Sequence, residues 1–403
     1  MQTPLGSLDI FLFLGLLTFH LVCACNNSPL YPNKNSTVLA INDDTYGTRN
    51  VSYWVTDNGL AVIDGDVIYG TVEDLLAHNL TANPPNITRR AHSIFRTANP
   101  WNGATITYKF DSDCTENAFG VGAIVNGAIA NWKATAPYLT FKKVPNSGVG
   151  ENGVLMIKAP SCGGCNSPIG FFNLPMTLNL QQMCPTSPGS CGVAEATHEF
   201  GHALGKLMLA HLSFPYLFRT GLFHEHQRFD REKFVHYNCE NLDPACPAKT
   251  VMPAGKMCCS TGIPAGCCGN AANFNILSGP TFDAAGNYDI HSIMEYRANG
   301  FALPGKDTLT PVAPGIVIPV DNPSAIDSTD STRICKIYKS ICPRARACMA
   351  ASCPSNCVPV PRCNKPGLCG NPGRAPPCCF PVTHTECAQK ISACRARGCD
   401  FLR

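Results

Sequence analysis

Cysteine content is the feature that most restricts how this chain can fold. The 403 residues include 25 cysteines, of which six lie between Cys239 and Cys268 and twelve between Cys335 and Cys399. Cysteines at this density form disulfides in an exported chain, whereas in an intracellular chain they more often bind metals or take part in catalysis. The sequence therefore predicts a disulfide-rich protein if its N-terminus directs export.

The N-terminus has the composition of a secretory signal. Residues 10–24 form a nearly unbroken apolar run of 15 residues that ends in small side chains, which is too short to cross a bilayer comfortably. Asp9 and the lack of Lys or Arg before the run depart from the usual signal pattern. We expect residues 1–24 to be a signal peptide and the protein to be secreted to the extracellular space, without a transmembrane anchor.

Charge is unevenly distributed along the chain. The whole sequence carries a net charge of +3, whereas the stretch from Arg333 to the end contains 12 basic and 2 acidic residues. A basic tail on an acidic body suggests binding to an anionic polysaccharide or a cell surface. A solvated basic face among disulfides explains the pattern equally well. We expect residues 341–403 to form a Cys-rich basic tail, and we expect no nucleic-acid partner.

Residues 25–90 have the features of a removable pro-segment. Glycans are bulky and solubilising, which suits such a segment. The segment ends in the dibasic pair Arg89-Arg90, and cleavage after Arg90 would make Ala91 the new N-terminus; two solvated charges are the alternative. All five N-glycosylation sequons lie in the segment, at Asn26, Asn35, Asn50, Asn79 and Asn86.

Periodicity along residues 91–340 predicts an α+β domain with two lobes. Apolar residues at helical spacing predict a helix over residues 115–133, and a second helix is expected from about Val193. The later part of the domain is rich in Gly, Pro and Cys. We expect a twisted sheet with helices in an N-terminal lobe, an irregular C-terminal lobe and then the tail. Alternation predicts strands at residues 104–110, 139–144 and 154–158.

The second predicted helix contains His198-Glu199-Phe200-Gly201-His202, an HExxH motif. Four residues advance a helix by about one turn, so the two imidazoles point to one side and can share a metal ion. Glu199 then projects beside them, where it can take a proton from water and later give it to a leaving amine. HExxH alone is a moderate signal, because an ordinary helix can match it by chance.

Two further segments add specificity to this motif. Leu222 begins the run LFHEHQRFDR, and residues 292–296 read Ser-Ile-Met-Glu-Tyr. Together with Gly205, where the helix can stop in a left-handed turn, they resemble the astacin family of metzincins, whose signature is HExxHxxGxxHExxRxDR plus an S-x-M-x-Y methionine turn. The resemblance covers about residues 91–340. It implies a metzincin fold and a zinc metalloendopeptidase acting on protein or peptide substrates.

The resemblance implies roles for individual residues at the metal. It implies that His198, His202 and His224 bind one Zn²⁺ and that Glu199 is the general base. Tyr296 would be an additional, movable ligand that stabilises the oxyanion.

Residues further from the metal also receive implied roles. Met294 would form an apolar floor beneath the metal, and Glu225 would bind the amine of Ala91 after activation. In the pro-segment, Ile63-Asp64-Gly65-Asp66 resembles the family's F-x-G-D motif, in which the aspartate occupies the metal's water position. Asp66 is therefore a candidate for the latch of a zymogen, and a plain turn is the alternative.

One departure from the family pattern affects the third histidine. The pattern places it three residues after the glycine, but that position is Met208, and the expected histidine appears only at His224, behind the additional residues 206–221. Without those sixteen residues the sequence reads HEFGHALGLFHEHQRFDR, a full match. We interpret them as a retained intron in the gene model. The alternative is a genuine loop from which His224 returns to the metal, with His211 as a further candidate ligand.

The sequence leaves two functions open. The first is a secreted zinc metalloendopeptidase made as a zymogen. The second is a catalytically weak extracellular binding protein, in which residues 206–221 disrupt the zinc site and the Cys-rich tail carries the function. Zinc content and proteolysis distinguish the two. A serine hydrolase is disfavoured because the sequence has no Gly-x-Ser-x-Gly elbow.

Overall fold

The fold is described from a computed structural model. The expected signal peptide, residues 206–221 and nearly all of the Cys-rich tail lie outside the described residues. Runs of consecutive strands form a mixed sheet, with few helices between them, so the predicted α+β class is confirmed. The structure describes residues 37–43, 47–56, 59–80, 100–117, 120–182, 184, 190–205, 222–247, 249–277, 288–319 and 325–344.

A nine-stranded mixed sheet is the centre of the fold. Its strands are β1 (Thr37–Asp43), β2 (Gly47–Val55), β3 (Leu60–Ile63), β4 (Val67–Thr71), β5 (Thr105–Phe110), β6 (Thr140–Lys143), β7 (Leu155–Lys158), β8 (Cys165–Pro168) and β9 (Met176–Leu180). The spatial order is β1-β2-β3-β4-β8-β9-β7-β5-β6. The strands predicted at residues 104–110, 139–144 and 154–158 correspond to β5, β6 and β7.

The N-terminal residues supply almost half of this sheet. β1 to β4 form an antiparallel meander, and β4 then pairs in parallel with β8, with Val67 opposite Ser167. The amide of Ser167 also donates a hydrogen bond of 3.0 Å to the carbonyl oxygen of Asp66. A short helix, α1 (Val72–Leu76), follows β4. Residues of the expected pro-segment thus cover the edge of the sheet that β8 would otherwise expose.

The helix predicted over residues 115–133 is divided in two. The structure has α2 (Asp113–Asn117) and α3 (Val121–Thr135). Gly120, directly before α3, has a φ of 73°, which is left-handed backbone that glycine adopts without steric cost and that cannot continue a right-handed helix. The expectation of one continuous helix was therefore wrong.

Helix α4 (Val193–Leu204) begins at the predicted residue and packs on α3. Its apolar side is buried, and the Trp132 indole of α3 donates a hydrogen bond of 2.9 Å to the carbonyl oxygen of Thr197. Trp132 and Phe200 are both fully buried. The two helices and the sheet thereby enclose one large core, and α4 is fixed along its length against that core.

The C-terminal part is irregular, as predicted. It contains a two-stranded ribbon of β10 (Val235–Tyr237) and β11 (Leu309–Pro311), and the final described helix is α5 (Ser328–Ile337). No helix among the described residues is long and apolar enough to cross a bilayer. Disulfides were predicted, and the described ones include Cys162–Cys184, Cys165–Cys191, Cys239–Cys259, Cys246–Cys267, Cys258–Cys268 and Cys335–Cys342.

Candidate metal centre

Helix α4 presents both histidines of the HExxH motif on its buried side. His198 is 6% exposed and His202 is fully buried. Nδ1 of His198 lies 2.6 Å from the carbonyl oxygen of Ile293, and Nδ1 of His202 lies 2.8 Å from that of Leu222. A carbonyl oxygen can only accept, so in each ring Nδ1 carries a hydrogen, which leaves Nε2 as the atom that can bind a metal.

His224 and Asp66 complete a four-residue cluster around these lone pairs. Nε2 of His224 lies 3.0 Å from Oδ1 of Asp66, and Nε2 of His202 lies 3.6 Å from the same oxygen. Nε2 of His198 lies 3.4 Å from Oδ2 of Asp66. The four ligand atoms are all within 4.8 Å of one another. The structure thus brings together four of the residues that the sequence suggested as metal ligands, His198, His202, His224 and Asp66.

These donors fit a zinc ion. Nε2 of His198 and Nε2 of His202 are buried and have no hydrogen-bond partner among the described residues, although buried polar atoms are normally paired. Burial lowers the pKa of His202 to about 4, so this imidazole is neutral, as a metal ligand must be. Three imidazole nitrogens and one carboxylate oxygen are a ligand set that zinc accepts in four-coordinate sites.

Glu199 lies beside the cluster with a carboxyl group that is 2% exposed. Its Oε2 has no hydrogen-bond partner among the described residues. Burial, together with the negative charges of Asp66 and Glu195, raises its pKa well above the ordinary value for a glutamate. Glu199 is therefore placed to exchange a proton with a molecule that enters the site.

Met294 lies against the same helix, fully buried. A Cβ atom at Gly201 would be 2.7 Å from Sδ of Met294 and 3.3 Å from the Trp132 ring. Only glycine therefore fits at this position of the motif without displacing the methionine. This is the place that the astacin resemblance implies for an apolar floor under the metal.

Tyr296 contacts the N-terminal segment beside the cluster. Its hydroxyl donates a hydrogen bond to the carbonyl oxygen of Asp64. Asp64 has a φ of 52° and Gly65 a φ of 88°, and a Cβ atom at Gly65 would be 2.3 Å from the Tyr296 hydroxyl. The glycine of this turn is thus required both by its backbone conformation and by its close approach to Tyr296.

Helix α4 ends at Gly205, but not in the predicted left-handed turn. Gly205 has φ −60° and ψ 174°, which is extended backbone. A Cβ atom on it would be 2.9 Å from the backbone nitrogen of Leu222 and 3.0 Å from the carbonyl oxygen of His202. Glycine is needed here because another segment of main chain lies against it, so the reason given from the sequence was wrong.

The same contact shows that Gly205 and Leu222, the described residues on either side of 206–221, lie against each other. Leu222 accepts the hydrogen bond from His202 through its own carbonyl group. His224 follows two residues later and enters the cluster, whereas His211 lies outside the described residues. The end of α4 and the segment that contains His224 are therefore close together in the fold.

Deleting residues 206–221 is expected to leave the metal centre intact. Joining Gly205 to Leu222 shortens the connection, and removing a loop of this length should raise stability by on the order of 1 kcal/mol. Zinc content and the melting temperature of the deletion variant check this, with a sixteen-residue Gly/Ser replacement as the matched control. Loss of zinc in the deletion variant alone would show that residues 206–221 support the site. Sequencing the transcript across these codons tests the intron interpretation separately.

Glu225 is buried and already has partners within the chain. Its Oε1 accepts hydrogen bonds from Arg333 at 2.7 Å, Arg228 at 3.2 Å and the amide of Asp289 at 2.8 Å. The resemblance implies that Glu225 binds the amine of Ala91. Arg90 and Ala91 lie outside the described residues, so this role stays a prediction.

Several supporting residues were missed by sequence reasoning. Asp330 of α5 lies more than thirty residues beyond the methionine turn that it contacts, and Arg333 lies 108 residues beyond Glu225, so no local pattern links these segments. Arg49 forms a two-bond ion pair with Asp64, at 2.8 and 2.6 Å. Gly201 could have been noticed, because a glycine inside a helix is unfavourable unless a close approach requires it.

Comparison with solved structures gives partial overlaps. The medaka (Oryzias latipes) hatching enzyme HCE-1 aligns with 61% of this chain and 95% of its own, at 22% identity and a TM-score of 0.40. Myroilysin aligns with 59% of this chain and 95% of its own, at 18% identity and a TM-score of 0.31.

Comparison with curated proteins gives matches at low identity. Zinc metalloproteinase nas-5 of Caenorhabditis elegans is 25% identical over 177 residues, which are 43% of this chain and 37% of that protein. High choriolytic enzyme 1 of Oryzias latipes is 27% identical over 186 residues, 45% of this chain and 50% of that protein. The chain thus spans half the length or less of these two relatives.

No family model matches the chain. The curated matches are nevertheless to zinc metalloproteinases and hatching enzymes, and the sequence carries the motifs on which the resemblance rests. Over less than half of its length, the chain is thus similar to zinc metalloproteinases of the astacin family.

Proposed function

We propose that this protein is a secreted zinc-dependent metalloendopeptidase made as an inactive zymogen. The observation that carries the proposal is the convergence of His198, His202 and His224 on Asp66, within 4.8 Å and beside Glu199, whose Oε2 has no hydrogen-bond partner among the described residues. Three imidazoles can hold a catalytic metal ion, and an adjacent carboxylate supplies the base that peptide hydrolysis needs.

The chain's own residues would divide the reaction among them. When bound, zinc would lower the pKa of a water molecule towards about 7 and polarise the scissile carbonyl group. Glu199 would accept the proton of the attacking water and deliver it to the leaving amine. The Tyr296 hydroxyl would donate a hydrogen bond to the oxyanion. The backbone carbonyls of Ile293 and Leu222 would keep the His198 and His202 rings in the orientation required of ligands.

The N-terminal residues would inhibit this site until they are removed. Asp66 would occupy the fourth ligand position, because its carboxylate lies between the three Nε2 atoms. The carbonyl group of Asp64 would hold the Tyr296 hydroxyl away from substrate. β4 would cover the edge of β8. Cleavage after Arg90 would separate this pro-segment, residues 25–90, from the catalytic domain.

The remaining assignments concern destination and partners. We propose a signal peptide at residues 1–24, a catalytic domain at residues 91–340 and a Cys-rich basic tail at residues 341–403. The disulfides of the described part suit an oxidising, extracellular setting. Substrates would be proteins or peptides, and the basic tail would provide contact with an anionic polysaccharide or a cell surface.

The competing proposal was a binding protein whose zinc site is disrupted by residues 206–221. The geometry disfavours it, because His224 reaches the cluster and the flanking residues Gly205 and Leu222 lie against each other. No described residue has to be displaced for His224 to take part in the site.

Chelation separates the two functions. The cleaved protein is expected to contain about one zinc ion per chain and to lose its proteolytic activity in 1,10-phenanthroline, because the proposed site has no other source of an activated water. Zinc added back in equimolar amount should restore hydrolysis of a denatured protein substrate. Proteolysis that persists in the metal-free protein would contradict the proposal, and a protein that binds no zinc would favour the binding-protein alternative.

A further inference from the structure

Helix α5 contacts both segments that hold the metal-binding histidines in place. The Asp330 carboxylate accepts hydrogen bonds from Ser292 Oγ at 2.6 Å and from the amide of Ile293 at 2.8 Å. Ile293 in turn provides the carbonyl group that receives Nδ1–H of His198, at 2.6 Å. Asp330 is fully buried, so this connection runs from α5 to the first histidine through the protein interior.

Arg333, one turn later on α5, contacts the segment that contains the third histidine. Its Nη2 donates to Oε1 of Glu225 at 2.7 Å, and Glu225 directly follows His224 in sequence. The Glu225 amide also donates to the carbonyl oxygen of Met294 at 2.9 Å. Nη1 of Arg333 lies 3.5 Å from Oδ1 of Asp330. One buried ion cluster therefore links the third histidine, the methionine turn and α5.

We propose that Arg333 is a positioning residue for the metal centre, acting as the internal counter-ion that fixes Glu225 and thereby the backbone of His224. This inference rests on the proposed function. Helix α5 is part of neither the family signature nor the HExxH motif, yet it would take a direct part in holding the ligands.

The charges favour Arg333 as the main partner of Glu225. Arg228 also contacts Glu225, but at 3.2 Å, and it makes two hydrogen bonds of 2.9 Å to Asp230. Although burial by itself lowers the pKa of Arg333, the carboxylates of Glu225 and Asp330 raise it above the ordinary value. Arg333 therefore stays charged, and without it the partners described for the buried Glu225 carboxylate would be the Asp289 amide and Arg228, which is shared with Asp230.

The test compares Arg333→Gln, Arg333→Lys and the matched control Lys339→Gln. Lys339 is exposed just after α5 and loses the same charge. Zinc affinity of the full-length protein is measured by competition with a chelating dye, well below the melting temperature. R333Q is expected to bind zinc about 10- to 100-fold more weakly, as found when partners of ligand side chains are removed. R333K should recover most of this affinity, and K339Q should match the wild type.

A double-mutant comparison shows whether Arg333 acts through Glu225. In a Glu225→Gln background, R333Q is expected to cause little further loss of zinc affinity, because the two residues act as one unit. After cleavage, kcat should fall in R333Q with a small change in KM. Equal zinc affinities for R333Q and K339Q would overturn the inference. A wild-type protein without zinc would instead refute the proposed function.

Discussion

Glu199→Gln is expected to lower kcat/KM for a peptide substrate by about 10²- to 10⁴-fold while leaving zinc bound. The amide has nearly the shape of the carboxyl group but cannot accept the proton of the attacking water. The three histidines that would hold the metal are unchanged, and their Nδ1 atoms keep the hydrogen bonds to Ile293 and Leu222. Activity and metal content should therefore separate in this variant.

Glu232→Gln is the matched control for this experiment. Glu232 is an exposed carboxylate outside the cluster, so the same chemical change there should leave kcat/KM at the wild-type value. Metal analysis and a melting curve on both variants exclude misfolding as the cause of a loss. Full activity in Glu199→Gln would mean that another group accepts the proton, and the proposed mechanism would be wrong. Loss of zinc would instead give Glu199 a part in holding the metal.

Local pattern was enough to predict the helix that carries the site. The start of α4 at Val193 and the joint orientation of His198 and His202 follow from apolar spacing and from helical geometry, both of which are properties of neighbouring residues. The inclusion of His224 and Asp66 came from the family resemblance. Spacing argued against His224, because the sequence could not show that Leu222 lies against Gly205.

Long-range contacts were beyond prediction from one sequence. The carbonyl groups of Ile293 and Leu222 orient the histidines, but neither residue type has any special tendency to do so. Asp330 and Arg333 read as ordinary helix residues until the structure places them beneath the site. The break at Gly120 was missed because apolar spacing continues across it, and only the backbone conformation reveals it.

Pairing of the N-terminal residues with the sheet was also not predicted. Sequons and a dibasic pair indicated a removable segment, yet they contain no information about β4 lying beside β8. Such pairing depends on main-chain hydrogen bonds, which any extended sequence can make. The result is physically informative, because the contact that positions Asp66 is then a strand pairing together with the Arg49–Asp64 ion pair.

Asp66→Ala is expected to activate the uncleaved chain. In an Arg90→Gln background, which prevents processing, the wild-type latch should hold activity near zero because its carboxylate lies 3.0 to 3.6 Å from the three Nε2 atoms. Removing that carboxylate leaves the fourth position to water. The rate of hydrolysis of a short peptide should rise at least tenfold. This is less than the rate enhancement of about 10²- to 10⁴-fold that a general base contributes.

The remaining pro-segment contacts explain why activation should be incomplete for large substrates. β4 still covers β8, and the Asp64 carbonyl still holds Tyr296. A protein substrate should therefore be cut far more slowly than a short peptide. Adding Arg49→Gln, which loosens the turn, should reduce this difference. Glu73→Gln, an exposed carboxylate change in the same segment, is the control and should stay inactive. An uncleaved Asp66→Ala chain as inactive as this control, yet active after normal cleavage, would show that strand pairing alone inhibits the enzyme.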